Sequence, residues 1–192
     1  MLSKLTLFYG PVYNQPVKFI LSEVIGTLGG EIKLTGNQDS RNYWLFKSEP
    51  LEYSFDDLVS DGISEWDGVR NFQARNMLRD EIKEGDGVLF YHSNSKPLAI
   101  IGTARVVRAG YPDFTGWDSN SKHYDPKSSP VNPIWYMVDI EAERRFIQPI
   151  AREALMMIPG LSGMVLLRRG TRLSIQPVTS EEWNIILKLD QD

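Results

Sequence analysis

The chain of 192 residues has no cysteine, only two histidines and no surplus of positive charge. Without cysteine there are no disulfides, no thiolate metal ligands and no thiol nucleophile. His92 and His123 lie far apart in the chain and match no metal-ligand spacing. No phosphate-cradling glycine loop and no nucleophile elbow accompanies them. Neither a metal, a cofactor nor catalysis is therefore expected. No apolar run approaches the length of a bilayer crossing. The first residues lack a basic region followed by an apolar core and a small-residue cleavage site, so no secretory leader is expected. Lys and Arg number 21 against 25 Asp and Glu, for a net charge of −4. That balance argues against gripping a long duplex through a broad basic face, a mode that depends on many phosphate contacts. Local clusters remain at Arg70, Arg75 and Arg79, at Arg144 and Arg145, and at Arg168, Arg169 and Arg172.

What the chain does hold is enough apolar material for one packed domain. Apolar residues are 42% and charged residues 24%, the balance of a folded chain rather than a disordered one. Residues 1–42 read apart from the rest. They carry no Trp and no chemical motif, and at most a short element around Val17 to Ile25. They are set aside as an N-terminal extension of unknown role, before a domain spanning 43–192. In that domain Tyr43 to Lys47 predicts a strand, and Val88 to His92 predicts another, buried on both faces by its continuous apolar run. Leu98 to Val107, Trp135 to Glu141, Arg145 to Pro149, Met164 to Leu167 and Leu173 to Gln176 predict more. Ser54 with Asp57 marks a helix start. Asn71 to Ile82 predicts a helix with Ala74, Met77 and Leu78 on one face, and Ala151 to Met157 a short one. The last helix has the fullest signals: Thr179 caps it, Glu182 completes the capping box, and Val178 staples to Trp183. Residues 110–134 predict a long loop, which in a compact domain is functional or disordered. Many short strands with few helices predict an α+β fold built on a small, strongly curved sheet or barrel.

The most informative stretch is Trp66-Asp67-Gly68-Val69-Arg70-Asn71-Phe72-Gln73-Ala74-Arg75-Asn76. It is too polar for a core segment and too aromatic for an idle loop. A flat ring beside amides and guanidiniums suits stacking a nucleobase and reading its edge. Tyr43-Trp44, Phe90-Tyr91-His92-Ser93-Asn94, Trp117, His123-Tyr124-Asp125 and Ser174-Ile175-Gln176 repeat that pairing of rings with short hydrogen-bonding side chains.

From Tyr43 onward the sequence resembles the EVE domain family. The resemblance rests on Tyr43-Trp44-Leu45-Phe46-Lys47-Ser48-Glu49-Pro50, Trp66 to Asn71, Gln73 to Asn76, Phe90 to Asn94, Tyr111-Pro112-Asp113, His123-Tyr124-Asp125-Pro126 and Leu173 to Pro177. These pieces follow the family's order and spacing. The resemblance implies a PUA-like fold, a small curved β-barrel flanked by short helices, and kinship with YTH domains, which hold a methylated adenine in an aromatic cage. It implies a non-catalytic module that reads a modified base, with methylated or hydroxymethylated cytosine favoured, in DNA or RNA. An RNA-binding module for tRNA or rRNA is the alternative, and an enzyme acting on nucleic acid is a further one. A cytoplasmic location in a bacterium is favoured, and a nuclear one is expected if the chain is eukaryotic. The partner is nucleic acid and not a membrane. The sequence does not set the oligomeric state.

A reader pocket must receive its base flipped out or already single-stranded, at a cost of a few kcal/mol for unpairing. Stacking on rings returns roughly 1–3 kcal/mol per base. Trp44, Trp66, Tyr111, Trp117, Tyr124 and Trp135 are the candidate walls, each of which serves equally well in a core. Asn71, Asn94 and Gln176 carry a donor and an acceptor on one plane, as edge reading requires, and also as turn capping requires. Ser48, Ser93 and Ser174 suit a carbonyl or amino group, and Asp113 or Asp125 an exocyclic amine. Lys47, Arg70 and Arg75 suit flanking phosphates, although Lys47 also fits an exposed strand position and Arg75 a pairing with Asp67 or Glu81.

Overall fold

The computed structural model describes residues 41–191; residues 1–40 of the N-terminal extension lie outside that range. The centre is a six-stranded mixed sheet of order β2-β5-β4-β3-β1-β6. The strands are β1 (Tyr43–Ser48), β2 (Ile63–Glu65), β3 (Gly87–His92), β4 (Ala99–Pro112), β5 (Tyr136–Ala151) and β6 (Ile175–Val178). The helices are α1 (Phe55–Asp61), α2 (Phe72–Asn76), α3 (Arg152–Met156) and α4 (Ser180–Leu189). β1 runs parallel to β3, with α1, β2 and α2 in the crossover; every other pairing is antiparallel.

β1 and β3 are apolar on both faces because the sheet is covered on both. Trp44, Phe46, Val88 and Phe90 point into one core with Phe55, Trp66 and Leu78. Leu45, Leu89 and Tyr91 point into a second core with Phe146, Leu155, Trp183 and Ile186. Side chains alternate along a strand, so a continuous apolar run needs two partners, and two helical layers supply them. The caps form as their residues dictate. Ser54 and Asp57 close a capping box on α1, and Thr179 and Glu182 close one on α4. Val178 and Trp183 share the second core, as a staple requires.

The sheet does not close into a barrel. β2 and β6 remain its two edges, with no pairing between them among the described residues. Curvature comes instead from repeated register shifts between β4 and β5, since each bulge bends the strand and adds twist. Those shifts also let β5 run unbroken where two strands are expected from sequence. Gly102 is one reason: a Cβ there would stand 2.3 Å from the Arg144 carbonyl oxygen, so only glycine permits that close pairing.

Other boundaries move for local reasons. β4 continues to Pro112 and takes the start of the expected loop, because Tyr111 pairs with Met137. The helix expected over 71–82 divides into α2 and a π turn, Met77–Glu81, closed by the Ile82 N–H on the Met77 carbonyl at 2.9 Å. Val165–Leu167 forms a 3-10 turn rather than a strand. Its alternating burial, with Met164 and Leu166 inside, imitates a strand's period in the sequence. β6 begins two residues later than expected, at Ile175.

Candidate functional site

A cleft of about 970 Å³ opens where β1 ends, β2 passes and the Trp66–Arg70 loop turns. Lys47 and Ser48 come from β1, Ser64 and Glu65 from β2, Lys122 and His123 from the long loop, and Ser174 from the residue before β6. Trp66 is 9% exposed. It is held from behind by Phe46 at 5.2 Å and Phe90 at 5.5 Å between ring centroids. The Trp66 backbone N–H donates to the Val138 carbonyl at 2.7 Å. Tyr53 stands edge-on to it at 6.3 Å and 78°. The aromatic surface is thus one indole with a perpendicular phenol, not a pair of parallel plates.

The loop's shape depends on Gly68. It has φ of +72°, and the His123 ring lies where a Cβ would be, with atoms 2.5 to 2.8 Å from that position. Glycine both adopts the left-handed backbone and lets the imidazole approach. The loop is anchored by Asp113, which is fully buried. Asp113 accepts from the Gly68 N–H at 3.0 Å, from Arg70 Nη1 at 2.7 Å, and from the Thr115 N–H at 2.9 Å. Burial pushes this carboxyl upward, but the Arg70, Thr115 and Gly68 hydrogen bonds outweigh it and hold the group below the usual carboxylate range. Arg70 Nε also donates to the His123 carbonyl at 2.7 Å, and its guanidinium lies 5.3 Å from the Trp135 ring centroid. One arginine therefore ties the motif to both ends of the long loop.

The cleft is electrostatically divided. Glu49, Glu52, Asp61, Glu65, Asp67 and Asp139 stand against Lys47, Arg70 and Lys122. Burial and the nearby Asp113 charge push the Asp67 carboxyl up. Tyr53 is pushed up to about 12, first by burial. Burial lowers Lys47, and the Arg152 charge adds to that.

Of the residues predicted from sequence, Lys47, Ser48, Trp66, Arg70 and Ser174 line this cleft. The others sit elsewhere. Trp44 is buried in the first core, and its indole N–H donates to Asp86 at 2.8 Å. Asn71 caps α2 through the Ala74 N–H. Ser93 Oγ donates to the Ser48 carbonyl, and Asn94 takes a left-handed turn with φ of 52° and donates to Glu49. Tyr111 donates to Asp139, which lines the cleft, but does not line it itself. Trp117 is half-buried and Tyr124 exposed on the long loop. Gln176 is buried, with its Nε2 donating to the Leu173 carbonyl. Arg75 donates to the Ile134 carbonyl rather than to Asp67 or Glu81. Asp113 and Asp125, weighed as acceptors for an amine, hold the protein's own groups, Asp125 through the Trp135 indole N–H at 2.9 Å. Tyr53 and Asp67 also line the cleft and are not among the base-binding residues predicted from sequence. Asp67 was detectable from its place between Trp66 and Gly68; Tyr53, beside a helix cap, gave no signal.

The long loop and the motif, joined through Asp113 and Arg70, fall inside one family model. It is described as the EVE domain and matches residues 42–189. The chain belongs to the EVE family. Human thymocyte nuclear protein 1 is 42% identical over 170 residues, which cover 78% of this chain and 74% of that protein. A protein of Schizosaccharomyces pombe is 40% identical over 173 residues, 82% of this chain and 72% of the relative. Among solved structures, a Pseudomonas putida protein superposes with a TM-score of 0.75 at 42% identity, covering 77% of this chain and 99% of that one. The human THYN1 protein, solved in complex with 5-methylcytosine-containing DNA, superposes with a TM-score of 0.74 at 39% identity, covering 79% and 99%. The EVE fold is PUA-like; in this chain it is α+β with an open sheet.

Proposed function

We propose that this EVE domain is a non-catalytic reader of a methylated cytosine in DNA, and that the Trp66–Arg70 cleft receives the base. The observation that carries the reading is that this cleft forms at the motif the sequence marks as base-binding. At about 970 Å³ it is at the upper end of ligand-site volumes, with room for a nucleotide rather than a bare ring. Trp66 supplies a stacking face. Asp67 makes no hydrogen bond within the protein among the described residues, and a carboxylate suits the N4 amine, the donor that distinguishes cytosine's edge. Lys47, which has no carboxylate partner among the described residues, supplies positive charge for an adjoining phosphate, while Arg70 holds the loop through Asp113 and the His123 carbonyl. The DNA complex of the human relative supports choosing DNA and methylcytosine.

The test is a titration of the full chain with a short single-stranded DNA carrying 5-methylcytosine and with the same strand unmodified. Burial of one added methyl group contributes about 0.8 kcal/mol, or roughly fourfold in affinity. The modified strand is expected to bind at least that much more tightly, and Asp67→Asn to weaken both strands. Equal affinities would defeat the reading.

A further inference from the structure

Next to the cleft, reached through its lining residue Lys47, lies a run of arginines without carboxylate partners among the described residues. Every arginine among the described residues outside Arg152, Arg168, Arg169 and Arg172, Arg75 excepted, lies within 3.9 Å of a carboxylate. These four, and Lys47, have no such partner. They are also contiguous. Lys47 lines the cleft and its backbone N–H donates to Ser174, another cleft residue, at 2.9 Å. Lys47 Nζ reaches the Thr171 carbonyl at 3.5 Å, inside the Arg168–Arg172 segment. Arg152 Nη2 donates to the Leu167 carbonyl at 3.2 Å, at the start of that segment. Gly170, with φ of 78°, turns the segment so that Arg168, Arg169 and Arg172 are all exposed. The cleft lining itself carries Glu49, Glu52, Asp61, Glu65, Asp67 and Asp139, and its cations Lys122 and Arg70 are paired with Glu52 and Asp113. Glu153 is an exposed acidic neighbour of Arg152 on α3 but does not pair with it.

We propose that Lys47, Arg152, Arg168, Arg169 and Arg172 form a phosphate track, over which the sugar–phosphate backbone of the bound DNA strand leaves the cleft. The proposal rests on the reading of the cleft as a base pocket. Its physical ground is charge complementarity in a chain that is acidic overall, with a net charge of −4. A polyanion is repelled by the carboxylates of the cleft and drawn to the side where Arg152 and Arg168 bind backbone carbonyls and no guanidinium has a carboxylate partner. Nothing in this segment reads a base edge, so the track contributes affinity and direction, not selectivity.

The test compares the full-length protein with its R169Q/R172Q double variant, both exposed positions, on modified and unmodified single-stranded DNA at several salt concentrations. Each phosphate contact on a single strand contributes about 0.7 to the slope of log affinity against log salt. The double variant is expected to lose about 1.4 from that slope and to weaken both strands equally, leaving the ratio between them unchanged. An unchanged slope overturns the track. A wild-type protein that binds both strands equally, yet loses slope in the variant, sinks the base reading and keeps the track.

Discussion

Asp113 shows how one carboxylate sets the geometry of a site that it never touches from the solvent side. It is fully buried, and it binds the Gly68 N–H, Arg70 and the Thr115 N–H together. Removing it strands these donors and leaves the Arg70 guanidinium, 22% exposed, without its counter-charge. Asp113→Ala is therefore expected to cost about 3 kcal/mol, read as a fall in the urea midpoint, and to loosen the Trp66–Arg70 loop. A variant as stable as the parent would show that the loop holds its shape without this anchor. At this scale the sequence was informative about chemistry and poor about partners. Trp66 and Arg70 stood out because a ring and a guanidinium in a polar loop have few other uses. Trp44, Asn71 and Asn94 had the same chemistry, yet they serve Asp86, the start of α2 and a turn beside Glu49. Nothing local distinguishes an amide that caps a helix from one that reads a base; only the fold decides which faces the cleft.

Among the elements, α1 starts on a histidine. Its first N–H, from Phe55, donates to His92 Nε2 at 3.2 Å, while Ser54 and Asp57 satisfy the donors beside it. That nitrogen must be unprotonated to accept. Burial lowers the His92 pKa, and the Arg145 charge lowers it further against an opposing effect from Asp56. The unfolded chain binds the proton near the ordinary value of 6.5, and the folded chain binds it only at lower pH. Stability from this contact is complete above 6.5 and is lost as pH falls through the interval below it. The melting temperature is expected to drop between about pH 7 and pH 5, and to drop less in His92→Gln, whose amide oxygen accepts at either pH. Parallel pH curves for the two proteins would remove His92 from this role. Element types were legible wherever the chain carries its own signal, as in the two capping boxes and the doubly apolar β3. They were illegible where a distant partner decides. β5 is unbroken only because bulged β4 follows it, and the turn at Val165–Leu167 alternates in burial as a strand would.

At the scale of the described domain, the cleft brings an indole, a phenol and groups of both charges together at one opening. The sheet separates two cores, and the cleft lies where the end of β1 meets the motif loop and the long loop. The α+β class was readable from many short strands. The open sheet was not, because closure depends on whether the edge strands meet, and β2 is only three residues long. The proposed location of the modified base is against Trp66. It is tested most directly by following the backbone amides and indole N–H groups of the full chain by nuclear magnetic resonance as methylcytosine-containing single-stranded DNA is added. The largest shifts are expected at Trp66, Asp67, Gly68 and His123, with Trp44 and Trp183 unmoved in their cores. Shifts centred on other residues, with the Trp66 and Gly68 signals unchanged at saturation, would contradict the account.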